Sequence, residues 1–328
     1  MLIVQKYGGS SLADAARLRH VAERCLARRA KGEELVVVVS AMGDATDRLS
    51  AQARALVGAP PPRELDALLT TGEQQAAALL VMAMEALGLE AVSLTGWQAG
   101  ILTDRRHGDA ALRLIAPGRI REELSRGRLP VVTGFQGVCA AGDVTSLGRG
   151  GSDTTAVALA AALEAARCEI YSDVDGVFTA DPRRVPEARR LDCIDSRDML
   201  ALAEAGAQVL HPRAVELAMA GAVPLRLLSS FAEGKGSRVR LLSDEARPRF
   251  AGVTARDDCL SLAGPGADAA ALAAVTVRLA QAGIAVEEGA LETNRLRVRV
   301  LPEKLEEALR LVHREWVLAQ YAPEGQNI

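Results

Sequence analysis

The 328-residue sequence predicts an α/β fold, a mainly parallel sheet sandwiched by helices, followed by a small C-terminal α+β domain. Three observations carry this. Short β-branched runs alternate with Ala/Leu/Arg stretches of helical period. The run Val36-Val37-Val38-Val39 is too continuous for a strand with one wet face, so it belongs at the centre of a sheet covered on both sides. Beyond residue 248 the order changes to strand, strand, helix, strand, strand, helix.

Taken in order, Leu2 to Gln5 reads as a strand, Asp14 to Arg29 as a helix and Leu35 to Ser40 as the buried strand. After the turn-rich Pro60-Pro61-Pro62 come a helix from Thr71 to Leu87 and strands at Ala91 to Leu94 and Pro130 to Thr133. A glycine-rich loop, Gly142 to Gly151, opens the apolar helix Asp153 to Ala166, and the strand Glu169 to Ser172 follows. A helix after Pro212 and a strand from Pro224 to Ser229 complete a first domain, residues 1–231. Residues 232–248, with Gly234, Gly236, Ser237 and Ser243, read as a linker, and residues 249–328 as the second domain, with a further strand at Trp316 to Gln320.

Composition narrows the function. With 49% hydrophobic and 25% charged residues the chain is a globular protein and no disordered scaffold. A net charge of -3 leaves no broad basic field for nucleic acid or an acidic membrane, so any anionic ligand must be met by a few placed cations. Five dispersed cysteines without a C-x-x-C pair, and four histidines not grouped with them, argue against a zinc site or redox couple. The cysteines read as small buried side chains in a reducing cytoplasm. Met1 leads directly into Leu2-Ile3-Val4 without a basic leader, and no apolar run approaches membrane-spanning length, so a cytoplasmic protein is expected.

Four polar clusters fall where strands end, the rim at which open α/β sheets bind ligands. Lys6-Tyr7-Gly8-Gly9-Ser10-Ser11 could cradle a phosphate with backbone N–H groups, a helix start and one full charge, but alone it reads equally as a tight turn. Ser40-Ala41-Met42-Gly43-Asp44-Ala45-Thr46-Asp47 reads on local grounds as a Gly turn with Thr46 or Asp47 capping a helix. Gly148-Arg149-Gly150-Gly151-Ser152-Asp153 sets a guanidinium among exposed backbone donors, suited to a bidentate grip on carboxylate or phosphate. Capping by Ser152 or Asp153 would leave Arg149 without a purpose, so a ligand role leads there. The fourth, Ser172-Asp173-Val174-Asp175-Gly176-Val177-Phe178 with Asp181-Pro182-Arg183, could reach Mg²⁺, a ribose or phosphates, or could simply make two turns. No Ser/His/Asp or Cys/His arrangement supports a hydrolase.

Together these clusters, with Thr71-Gly72-Glu73-Gln74, Leu94 to Ile101, Val131 to Gly137 and Gly206 to Pro212, closely resemble the aspartate kinases of the amino acid kinase family, in the family's order, over residues 1 to about 231. The resemblance implies transfer of the ATP γ-phosphoryl group to the β-carboxylate of L-aspartate, the first step towards lysine, threonine and methionine, with ATP and Mg²⁺ required. It further implies Lys6 and Asp153 as catalytic residues, with Lys6 on the transferring phosphoryl group and Asp153 ordering it. Arg149 would clamp the α-carboxylate and Glu73 the α-ammonium, while Ser40, Thr46, Phe135 and Ser152 line the aspartate pocket. Lys6, Gly8, Gly9, Ser10, Ser172, Asp173, Phe178, Arg183 and Gln208 fall on nucleotide positions, and no residue is assigned to a metal. Gln208 and Phe178 depart from the lysine and tyrosine common in the family. Residues 249–328 have room for one ACT-like unit where the family commonly has two. This implies a shortened regulatory region, lysine or threonine as candidate effectors, and a homo-oligomer, a dimer, formed through that domain. The alternatives are an acid kinase of the same fold with another amino acid substrate, and a non-catalytic amino acid sensor.

Overall fold

The computed structural model describes residues 1–321 and divides into two compact units. One comprises Met1–Asp175 with Glu216–Gly234, the other Gly176–Val215 with the chain from Lys235 onward. The units thus interleave in sequence where a single linear division near residue 231 was expected. Residues 322–328 of the expected C-terminal domain lie outside the described residues.

In the first unit six parallel strands run side by side, in the order Leu225–Ser229, Arg167–Ser172, Leu2–Tyr7, Glu34–Val39, Leu129–Thr133 and Ala91–Leu94. Val36 to Val39 are fully buried, as a strand covered on both faces requires. Helices Ala15–Ala30 and Thr71–Glu85 bury Val21, Cys25, Leu80 and Met84 against Ile3, Tyr7, Val37 and Val39 on one face. Side chains alternate along a strand, so Lys6 points to the opposite face, where helix Gly151–Ala162 packs over Leu2–Tyr7 and Glu34–Val39. Asp14 caps the first helix by accepting the Arg17 N–H at 2.9 Å.

A second, mixed sheet in this unit was not anticipated. Its strands Leu112–Ile115, Ile101–Thr103, Gln136–Cys139 and Val144–Ser146 are only three or four residues long, too short to show a period. Val144–Ser146 lies inside the stretch read as a glycine-rich loop.

The second unit contains a four-stranded antiparallel sheet in the order Gly252–Arg256, Cys259–Ala263, Arg295–Val300, Val286–Glu292, with helices Ala269–Gln281 and Leu305–Val312. Its core gathers Phe250, Leu260, Leu262, Val275, Leu296 and Leu309, and also Ala180 and Val185 from the segment after Gly176. Two expectations are corrected here. Inside the supposed linker, Ser237–Arg240 is a strand paired in parallel with Cys193–Asp195. The buried Ser237 hydroxyl accepts from Val177 N–H and donates to the Leu191 carbonyl, partners no local pattern announces. The strand expected at Trp316 to Gln320 is helical instead. The chain continues from Leu305–Val312 through a wide π turn, His313–Val317, and a 3₁₀ turn, Leu318–Tyr321; Val317 packs in the same core as Val312, and the buried His313 meets the Thr179 hydroxyl at 2.9 Å.

Among the described residues no helix is long and apolar enough to cross a membrane. All five cysteines are free thiols; Cys25, Cys139 and Cys168 are buried and Cys193 and Cys259 half-buried.

Strand Leu2–Tyr7 is locked to Arg167–Ser172 by more than its ladder. The fully buried Glu169 accepts from Gln5 Nε2 (2.8 Å), Arg167 Nε (2.7 Å), Arg28 Nη2 (3.1 Å) and the Tyr171 hydroxyl (3.1 Å), while Tyr7 and Tyr171 stack at 4.7 Å. Burial pushes the Glu169 carboxyl up, but these donors outweigh it and hold it below the usual carboxylate range. A depressed acid contributes stability at pH above its unfolded value, and that contribution is lost as pH falls through its folded value. Glu169→Ala, which removes the buried partner of Gln5, Arg28 and Arg167 and leaves the two arginines only Glu33, is expected to destabilise the fold by about 3 kcal/mol in urea denaturation at neutral pH. The difference should shrink towards acid pH; a constant difference would show that the charge is not what matters.

Candidate active site

At the carboxyl end of the parallel strands opens a cleft of about 790 Å³. Lys6, Gly9 and Asp153 line one part of it. Lys6 sits at the end of its strand and Asp153 on the first turn of helix Gly151–Ala162, and their side chains meet at 2.7 Å, both 13% exposed. A short, largely dehydrated pair of this kind fixes the ammonium in place.

Arg149 lies between Gly148 (φ +71°) and Gly150 (φ +67°), both in the left-handed region that glycine enters without strain. Gly150 takes the cap position of the helix, so Ser152 and Asp153 lie within its first turn, where neither caps it. Ser152 and Phe135 join Arg149 in the cleft. A Cβ on Gly151 would lie 2.9 Å from the Phe135 ring, and one on Gly134 would lie 2.7 Å from Ser152, so the two turns are pressed together. Phe135 itself has φ +70°, a conformation costing on the order of 1 kcal/mol. Its N–H is held by Thr155 Oγ1 at 3.2 Å and its carbonyl by Leu147 N–H at 2.8 Å.

Ser40, Thr46 and Glu73 complete the predicted lining. The helix after the second cluster begins at Ala45, one residue before Thr46, so neither Thr46 nor Asp47 is its cap. Glu73 is 3% exposed. One of its oxygens accepts the Ala41 N–H at 3.0 Å and the other is buried without a hydrogen-bond partner. Burial raises the Glu73 carboxyl to about 7, against the opposing pull of the Ala41 N–H.

Residues 1–229 match the family model described as the amino acid kinase family. The chain belongs to that family. Over 240 residues this amino acid kinase is 55% identical to the aspartokinase of Mycolicibacterium smegmatis, a match covering 73% of the chain and 57% of that protein. Its fold resembles the aspartate kinase from Synechocystis with a TM-score of 0.67 and 38% identity, over 94% of this chain and 54% of that one. Escherichia coli aspartokinase III in complex with aspartate and ADP gives a TM-score of 0.72 at 25% identity, over 94% and 83%. The same protein in complex with lysine and aspartate gives 0.69 at 26%, with the same coverage. The match thus spans little more than half the length of the curated relatives.

The remaining expected positions of this amino acid kinase lie elsewhere. Gly8 adjoins Lys6, an added Cβ falling 3.6 Å from Nζ, and its N–H donates to the Tyr171 carbonyl at 3.2 Å. Ser10 is exposed and its carbonyl accepts from Arg17. Ser172, whose Oγ accepts the Val174 N–H at 3.2 Å, and the exposed Asp173 end a strand of the first unit. Phe178, Arg183 and Gln208 belong to the second unit, where Asp181 grips Arg183 at 2.8 Å and Gln208 is exposed. The Gly8-Gly9 turn beside Lys6 suits a nucleotide's terminal phosphates. Among the described residues no three carboxylate, histidine or cysteine groups cluster as metal ligands would.

Among the lining residues that escaped the sequence reading are Arg54, Asp66, His107 and Ser146. They come from four separate segments; Ser146 lies inside the glycine-rich stretch Gly142 to Gly151 but ahead of its Gly148 to Asp153 cluster, and the other three sit in no glycine-rich or strand-end motif that would have flagged them.

For an acid whose folded pKa is raised, the ionised form is penalised, so stability falls as pH rises from the unfolded value through about 7. Glu73→Gln is therefore expected to match the parent protein near pH 5 and to exceed it by about 2 kcal/mol near pH 8 in chemical denaturation. Equal stability at both pH values would place a charged partner beside Glu73.

Proposed function

We propose that this chain is an aspartate kinase of the cytoplasm, transferring the γ-phosphoryl group of ATP to the β-carboxylate of L-aspartate to give β-aspartyl phosphate. The observation that carries the proposal is the convergence of the Lys6–Asp153 pair, Arg149 and Glu73 on one cleft. It is supported by the identity to aspartokinases across that region.

The chemistry asks little of the protein. A carboxylate acceptor is ionised at neutral pH, so no general base is required. What remains is alignment and charge neutralisation. Lys6, held by Asp153, stands on the phosphoryl oxygens as negative charge shifts during transfer. Mg²⁺ bound with the nucleotide would supply further neutralisation of the phosphate charge. Arg149, which lines the cleft between its flanking glycines, takes the α-carboxylate in a bidentate grip. The unpartnered oxygen of Glu73 takes the α-ammonium, which returns that carboxyl to its ionised form; acceptor binding near pH 7 therefore releases a proton. Opposite charges at fixed separation select an amino acid over a simple dicarboxylate.

The antiparallel sheet of the second unit is assigned as an ACT-like regulatory and dimerisation domain. The support is its strand-helix alternation and its largely exposed edge strand Val286–Glu292, which can pair with a second chain. Lysine and threonine are its candidate effectors. The same core includes Ala180 and Val185, close in sequence to Phe178 and Arg183. An effector acting there is expected to alter the ATP requirement more than the aspartate requirement.

The test is ATP, Mg²⁺ and L-aspartate with hydroxylamine trapping. Acyl hydroxamate is expected from the parent protein, and turnover lower by about 10³-fold or more from Lys6→Ala. A folded, ATP-binding sample that phosphorylates another amino acid, or none, overturns the assignment. Repeating the assay with lysine or threonine is expected to raise the KM for ATP; a change confined to aspartate KM would contradict the route through the second unit.

A further inference from the structure

Beyond the residues assigned so far, the cleft has one more charged wall. Asp66, on helix Pro62–Leu69, is 1% exposed. Its Oδ1 accepts from the Ser146 hydroxyl (2.5 Å) and the Gly108 N–H (3.2 Å). Its Oδ2 accepts from His107 Nδ1 (2.9 Å) and the same Gly108 N–H (3.1 Å). A carboxylate this buried persists because donors meet its lone pairs, and the three donor residues come from two segments distant in sequence from its helix.

Those two segments lead to Arg149. Strand Val144–Ser146 runs straight into Gly148-Arg149-Gly150, and the Ser146 carbonyl accepts the Ala110 N–H at 2.8 Å. Gly148 is pressed on the turn that Asp66 holds: a Cβ there would lie 2.8 Å from Asp109 Oδ1 and 3.2 Å from the Gly108 carbonyl. The glycine-flanked arginine is therefore fastened on its far side by Gly151 against Phe135, and on its near side by a turn tied down through a buried carboxylate.

Resting on the proposed role of Arg149 as carboxylate clamp, we propose that Asp66 is a positioning residue for the acceptor substrate, acting through the His107–Asp109 turn on the segment that presents Arg149. A loop carrying three glycines would otherwise be ordered only at the moment of binding, at the expense of affinity. The brace does that ordering in advance. Its effect belongs to the acceptor end of the cleft, since Lys6 is held separately by Asp153.

The experiment uses the whole chain with Asp66→Asn and the milder Ser146→Ala, so that a poorly folding first variant leaves the second to decide. Hydrogen exchange of the ligand-free protein is expected to quicken at residues 107–110 and 146–151 while residues 8–11 stay unchanged. In steady-state assays Asp66→Asn is expected to raise the KM for L-aspartate about tenfold, with kcat and the KM for ATP within about twofold. In an Arg149→Lys background most of that increase should vanish, a coupling that general loosening would not produce. Unchanged exchange at 146–151, a parallel rise in both KM values, or full additivity with Arg149→Lys would each overturn the proposal. Should the parent protein make no acyl phosphate, the proposed function fails on that result alone, and the exchange measurement still decides the brace.

Discussion

The cleft depends on one ion pair, Lys6 with Asp153 at 2.7 Å. Lys6 lies one residue from the end of a central strand and Asp153 in the first turn of the helix packed over it, so the contact fixes the helix start against the strand end. Everything on that helix's first turn, and the glycine turn before it, inherits a defined distance from the strand rim. A lysine at this depth without its carboxylate would be drawn towards water. The paired geometry holds it in the cleft.

Support for the pair comes from the other face of the sheet. Gln5 and Tyr7, the neighbours of Lys6 in sequence, point into the network around Glu169, where Arg28, Arg167 and Tyr171 converge. A one-residue slip of the strand would bury Lys6 in that network and expel Gln5, so alternation and buried charge together fix the register. The site thus has two layers: charges that face a ligand, and a satisfied charge cluster beneath that cannot rearrange cheaply.

Much of this was legible in the chain. The parallel strands were visible because a fully buried strand needs a continuous β-branched run, as in Val36 to Val39. Lys6, Arg149 and Asp153 were visible because each stands beside glycines at a strand-helix junction. The short strands Ile101–Thr103 and Val144–Ser146 were not, since three residues carry no period. Ser237–Arg240 was hidden by its linker-like composition, and its pairing with Cys193–Asp195 depends on residues more than 40 positions away. Trp316 to Gln320 misled because an apolar run at a chain end fits strand or helix until its packing is known.

The sequence by itself determined the main parallel strands of the first unit, the long helices between them and the chemical types at the strand rim, because these follow from local spacing: period, glycine placement and charge. The tertiary structure alone decided that Asp66, His107 and Ser146 share the cleft with Arg149, and that Ala180 and Val185 are packed in the C-terminal core. Those facts depend on which distant segments are brought within hydrogen-bond or van der Waals reach. Burial and satisfied polar contacts set that across the whole unit, and no local window contains it.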